Sequence, residues 1–284
     1  ATLALAEVAP EAGNRARSRD EPVGDDEAGL AMRCTASVAR AVAFLVAGAG
    51  EEGPLAASTE DHCMAAWAVA SSMSRLGPRL IAALPKESGI TGEVVERALV
   101  AALRRALAAQ DPATGLLSGV GTGDARFLGT LAFLGFLHEV EPLPAAKAVG
   151  ADLRKARSSA SLAVRGPLLP GDLPSTGAGR AALSLLREDR TGLEAPLDGM
   201  RTVDATHLLY GTVSAFSLGS EAEWDGWWKG VLVPAMNAQA FDVLGGTGSF
   251  PPVGDALGRT HATALSLLAW LYPDMEWRAP ASGN

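Results

Sequence analysis

The sequence predicts an all-α protein built from helical pairs, and three observations carry that expectation. From Ala31 onward Ala and Leu dominate, and apolar residues recur at three- and four-residue spacing, the period of an α-helix. Runs in which β-branched or aromatic residues alternate with polar ones are nearly absent, so strands are not expected. Segments that are apolar on nearly every side, such as 65–70 and 131–136, alternate with segments carrying a charged face, such as 92–110 with Glu96, Arg97, Arg104 and Arg105. A helix apolar all round must be enclosed by protein, whereas an amphipathic one can face water. The alternation therefore implies an inner and an outer layer, and pairs repeating at roughly 50 to 65 residues suit a helical solenoid or closed ring.

Each element follows from local signals. Residues 1–30 read as a polar N-terminal arm, disordered or extended. Within it Glu7, Glu11, Asp20, Glu21, Asp25, Asp26 and Glu27 face three arginines, and almost no apolar run follows Val8. Such a segment buries too little surface to offset its ordering entropy. The first pair is expected at 32–47 and 61–76, joined by a loop holding Gly48, Gly50, Gly53 and Pro54. The second is expected at 92–110 and 124–140, across the loop 111–123. A looser third spans 145–163 and 177–186, with Gly166, Pro167, Pro170, Gly171 and Pro174 between. The closing set is 204–218, 221–239 and 259–272, which makes 31–275 one helical body and 276–284 a tail. Asp61, Asp124 and Asp204 stand where inner helices begin, and a carboxylate there can cap free N–H groups and oppose the helix dipole.

Composition narrows the function classes. A net charge of −8 and a pI near 5.1, with no local basic patch in view, give no footing for binding nucleic acid. No stretch approaches the roughly 18 uninterrupted apolar residues of a membrane span, because charged residues, Gly or Pro break every run. Cys34 and Cys63 are too few for a disulfide framework. The chain opens on Ala1 rather than Met, a start that admits an extracytoplasmic location and leaves the compartment open. The string Gly119-Val120-Gly121-Thr122-Gly123 follows no strand, so a dinucleotide reading fails on context. A Gly-x-Ser-x-Gly elbow, a phosphate loop and a His-Glu-x-x-His pair are all absent from the sequence.

The loop-and-helix joints resemble the prenyltransferase and squalene-oxidase repeat, the unit of the α/α toroid shared by terpene cyclases, protein prenyltransferase β subunits and many uncharacterised bacterial proteins. That repeat places Gln near the end of the outer helix, then Gly-x-Trp, then the inner helix. Here Gln110 is followed by Gly115-Leu116-Leu117, and Gln239 by Gly248-Ser249-Phe250, with Leu117 and Phe250 at the Trp position. The C-terminal third is most similar, through Thr206 to Thr212, Trp224 to Lys229, and Gly258 to Leu265. The resemblance implies an α/α toroid over about 30–275.

What it implies for chemistry is mixed. The Asp-x-Asp-Asp acid of the cyclases is missing, and 7 Phe, 6 Trp and 2 Tyr are too few to line a cation-stabilising cavity. Protein prenyltransferase β subunits hold zinc with Asp-x-Cys and a His. By that likeness Asp61, Cys63 and His261 form a zinc set of carboxylate, thiolate and imidazole with one open position. Asp204, His207 and Tyr210 fall on one helix, where they form either a general-base cluster or a polar network in the mouth of the ring. Trp224, Trp227 and Trp228 crowd one outer helix as candidate contact residues. The leading expectation is a non-catalytic toroid without catalytic residues or cofactor, a scaffold or structural component for protein partners and a member of a larger assembly. The alternative is a zinc-dependent enzyme or binder of isoprenoid-like ligands.

Overall fold

The computed structural model describes residues 25–50, 53–117, 123–166, 173–190, 203–237, 265–266 and 268–269. These residues are helices and their connections. They contain no strand, and their one isolated bridge pairs Gln110 with Leu117. Contacts divide the chain into two compact units, 2–172 and 173–284, where the sequence suggested one body over 31–275. The division falls in the Pro/Gly-rich connection between the expected helices of the third pair.

In the first unit, α1 (Asp25–Ala49) starts well before the expected residue 32, so the end of the acidic arm is helical. Helix α2 (Thr59–Leu76) begins at Ser58, whose hydroxyl accepts the Asp61 N–H at 3.0 Å. A short α3 (Pro78–Ala83) follows, then α4 (Gly92–Ala109), α5 (Asp124–Val140), a second short helix α6 (Pro144–Val149) and α7 (Leu153–Arg165). The single helix expected over 145–163 is broken because Gly150 takes φ 65° and Asp152 caps a new start, accepting the Lys155 N–H at 2.9 Å.

The helices fall into two kinds, as the alternation implied. In α2, residues Ala66 to Met73 are buried without interruption, and in α5 only His138 is exposed. These two pack against each other more extensively than any other helix pair. Phe127, Phe133 and Phe136 of α5 are completely buried, each contributing about 1.5–3 kcal/mol of apolar transfer. By contrast α4 buries one stripe, Val95, Ala98, Leu99, Ala102, Leu103 and Ala106, and leaves Arg97, Arg104 and Arg105 exposed. Helices α1 and α7 also bury one side only.

The short helices are part of the repeat. Both open on a proline, whose fixed φ suits the first helical position. Helix α3 packs on α1, and α6 on α4. Starts of the enclosed helices lie 65 residues apart (Thr59, Asp124), and starts of the short ones 66 (Pro78, Pro144). The unit of repetition is therefore a triplet of one-sided, enclosed and short helix.

Each joint is tied to the next one-sided helix by a side-chain donor. Gln110 Nε2 donates to Gly115 O and to Ala156 O of α7, both at 2.9 Å. The loop it grips is closed by Asp111, which accepts from Ala113 N at 2.9 Å and Thr114 Oγ1 at 2.8 Å, holding its carboxyl below the usual range. Gly115, at φ 75°, lies too close to the Ser159 carbonyl for a side chain. In the preceding joint His62 does the equivalent work. Its Nδ1 accepts the Leu55 N–H at 3.1 Å, which leaves the proton on Nε2, 3.3 Å from Ala102 O of α4.

The second unit contains α8 (Gly177–Arg187), α9 (Ala205–Leu218), α10 (Glu221–Trp227), a π-helical segment Trp228–Leu232 and α11 (Val233–Asn237). Helices α8 and α9 pack face to face, stitched by Ser214 Oγ donating to Ala181 O at 2.9 Å. Ser220 and Glu223 form a reciprocal capping box at the start of α10. The expected helix 221–239 widens at its centre, where Val233 N donates to Trp228 O. Pro234 lacks an N–H and its ring would press on the carbonyl four residues back, a conflict the wider turn relieves. Of the expected helix 259–272, residues 265, 266, 268 and 269 are described, and all four are helical.

One close approach recurs in both units. A Cβ on Gly135 of α5 would come within 2.6 Å of Trp67 Cε2, so the indole of α2 rests directly on the α5 backbone. In the second unit Trp227 lies on Gly211 in the same manner. Gly135→Ala is expected to destabilise the protein by about 1–3 kcal/mol through overpacking against Trp67. A urea unfolding curve unchanged in midpoint would show that the indole is not seated there.

Candidate functional site

The first candidate is the start of α2, where Glu60, Asp61, His62 and Cys63 are consecutive. Asp61 is exposed, and its Oδ2 accepts the Ser58 hydroxyl at 2.7 Å, completing the helix cap. Cys63 is completely buried, and burial, with the Glu60 charge added, pushes its thiol up to about 12. Residues two apart on a helix project about 200° apart, and the opposite exposures of Asp61 and Cys63 agree with that. The two side chains diverge instead of meeting at one point. His261, the third member of the zinc set, lies outside the described residues. Among the described residues no group of three or more His, Cys, Asp or Glu side chains converges as a metal site.

Sequence reasoning passed over two residues here. His62 is buried with both ring nitrogens engaged, and burial lowers its pKa, so it is neutral and structural. Its partners are a backbone N–H and a backbone carbonyl, which leave no residue-type signature. Glu60 is half-buried, and desolvation with the adjacent Asp61 raises its carboxyl to about 7. Only its place between two polar cap residues and a buried imidazole hinted at this.

The second candidate is α9. Asp204 is its N-cap, Oδ1 accepting the His207 N–H at 2.8 Å. His207 is buried, its ring pressed on Gly177 at the start of α8 and 5.4 Å from the Trp227 ring. Tyr210 is also buried. The three share a helix, but Asp204 engages backbone while His207 and Tyr210 are enclosed. Exposed Arg190, which follows α8, pairs with Glu223 at the start of α10.

The tryptophans separate into two roles. Trp227 is buried, and its Nε1 donates to Thr212 Oγ1 at 2.9 Å, while Thr212 donates to Leu208 O at 2.6 Å. Around it stand Leu208, Ala215, Val231, Leu232 and Ala269. Trp224 and Trp228 are half-buried on the margin of this cluster. Their rings are 5.7 Å apart, and Phe216, 43% exposed, meets Trp224 edge-on at 5.2 Å. Trp224, Trp228 and Phe216 form a continuous aromatic surface, with Trp227 as its foundation.

Compared with protein-family models, with curated proteins and with solved structures, the chain matches none.

Trp227→Ala is expected to cost about 3–5 kcal/mol as a buried aromatic truncation, and Trp228→Ala under about 1 kcal/mol, both read from denaturant unfolding. Equal losses would refute the division of roles. The pH dependence at α2 has two opposed parts. His62 has a folded pKa below 6.5, so the unfolded chain binds more protons and stability falls as pH drops below about 6.5. Glu60, raised to about 7 from 4.5, holds a proton in the folded state that the unfolded chain has released, so stability falls as pH rises from 4.5 to 7. Glu60→Gln should therefore raise the melting temperature at pH 8 and leave it nearly unchanged at pH 4. The reverse pattern would place Glu60 in water.

Proposed function

We propose that this chain is a non-catalytic helical-repeat protein of the α/α toroid type, acting as a scaffold or recognition module for other proteins. The observation that carries the reading is the engagement of its chemically able side chains in packing and capping. Asp61 and Asp204 complete helix starts, His62 ties a joint, and Cys63 and His207 are enclosed. The triplet repeat, with its spacing of 65 and 66 residues and its two kinds of helix, supports the toroid assignment. Trp224, Trp228 and Phe216 supply a contact surface on the second unit, of the aromatic kind enriched at protein interfaces.

The test is metal and thiol analysis of the purified full chain. The scaffold reading expects zinc far below one ion per chain and a Cys63 thiol that reacts with an aromatic disulfide reagent only after unfolding. One zinc per chain, lost in both Cys63→Ser and His261→Ala, would replace it with the zinc-enzyme reading.

A further inference from the structure

Helix α1 is the one-sided helix of the first triplet, and its buried stripe is Val38, Ala39, Val42, Ala43, Val46 and Ala49. Its outward side is not the charged face that α4 presents. Met32 is 74% and Phe44 79% exposed, the highest exposures of any large apolar side chains among the described residues. Although Arg33 and Arg40 interrupt its apolar run, the window Met32–Ala49 is long and apolar enough to cross a membrane by length and composition, and only 28% of it is buried. On helical spacing Arg33, Ala36, Ser37, Arg40, Phe44 and Ala47 share one side. Its two charges, Arg33 and Arg40, stand seven residues apart. Arg40 lies along the helix, bonding Ser37 Oγ at 3.0 Å, and neither arginine has a carboxylate partner among the described residues. The face therefore combines a projecting aromatic, small residues that permit close helix approach, and two positive charges in heptad register.

Resting on the scaffold reading, we propose that the outward face of α1 is a docking surface for an amphipathic acidic helix of a partner protein. An apolar seam on the partner covers Phe44, Ala36 and Ala47, and carboxylates one heptad apart meet Arg33 and Arg40. The charge pattern selects this occupant. A second copy of the chain, set antiparallel about Arg40, would bring like charges together. A membrane face would be expected to carry more than two cations on a chain of net charge −8.

Two synthetic peptides of about three heptads test this, one with Leu at the seam and Glu at the flanks, and a twin with Lys for every Glu. Fluorescence anisotropy with the full chain should show binding of the Glu peptide and not of the Lys twin. The Arg33→Glu, Arg40→Glu double variant should reverse that preference. Phe44→Ser should weaken binding of the Glu peptide at least about tenfold, about 1.4 kcal/mol, with circular dichroism unchanged because the side chain is exposed. Absence of binding, or a preference that does not follow the arginines, overturns the proposal. So does a Phe44-dependent dimer in light scattering, which makes a second copy the occupant. Phe44-dependent binding to vesicles of phosphatidylserine and phosphatidylcholine without peptide binding assigns the face to lipid. Peptide binding that strengthens tenfold in full-length Leu3→Asp, Leu5→Asp assigns it to the chain's own first residues. Failure here in zinc-free protein removes the α1 site and leaves the scaffold reading standing, whereas stoichiometric zinc removes the scaffold reading whatever the peptides do.

Discussion

An indole seated against a helical glycine is the constraint that recurs in each unit. Trp67 on Gly135 joins the two enclosed helices of the first unit, and Trp227 on Gly211 joins α9 to α10 in the second. In both cases the largest side chain available meets the smallest, so two helices approach closely without leaving a void. The choice has a cost, because a helical glycine is about 1 kcal/mol worse than alanine. That cost is offset by the contact area of a buried indole. The small residues of the enclosed helices, Ala and Ser in α2 and Ala and Gly in α5, suit the same close approach.

Directional bonds between neighbours come from side chains onto helical carbonyls. His62 reaches Ala102 O, Gln110 reaches Ala156 O, and Ser214 reaches Ala181 O. Each of these carbonyls lies within a helix, so the added bond uses its second lone pair and does not disturb the helix ladder. A residue holding two neighbours in register has its donors and acceptors occupied, as both ring nitrogens of His62 and the hydroxyl of Thr212 are. The recognition role proposed above draws on this allocation.

Periodicity made much of this legible. Helix α5 runs over the residues expected, and α4 ends one residue early, because Thr91 and Gln110 flank a clean apolar stripe. The short helices α3 and α6 were not anticipated, since six residues are less than two turns and show no period. The expected 145–163 helix failed because a glycine at φ 65° two residues before an aspartate cap is a stop and a start in succession. At the start of α2, residue type pointed to Asp61 and Cys63 and placement drew out His62. The outer members of Asp61-His62-Cys63 looked like ligands, while the middle one bears the structural load through backbone partners that no motif records. Helical spacing only partly contained the sorting of the tryptophans. Trp224 and Trp228 are four apart and share a side, but Trp227, three after Trp224, is a near neighbour on the same spacing, so its burial is settled by packing against Gly211 and Thr212. Gln110 was visible as a joint residue, although its reach to α7 was not.

The two joints of the first unit use different chemistry for the same task, and this gives the array a direction. An imidazole can take up a second proton and then has no lone pair for the Leu55 N–H, whereas the amide of Gln110 has no such alternative state. Acid therefore has an imidazole to protonate at the N-terminal joint, where Glu60 opposes its effect, and no equivalent group in the Gln110 side chain of the next one.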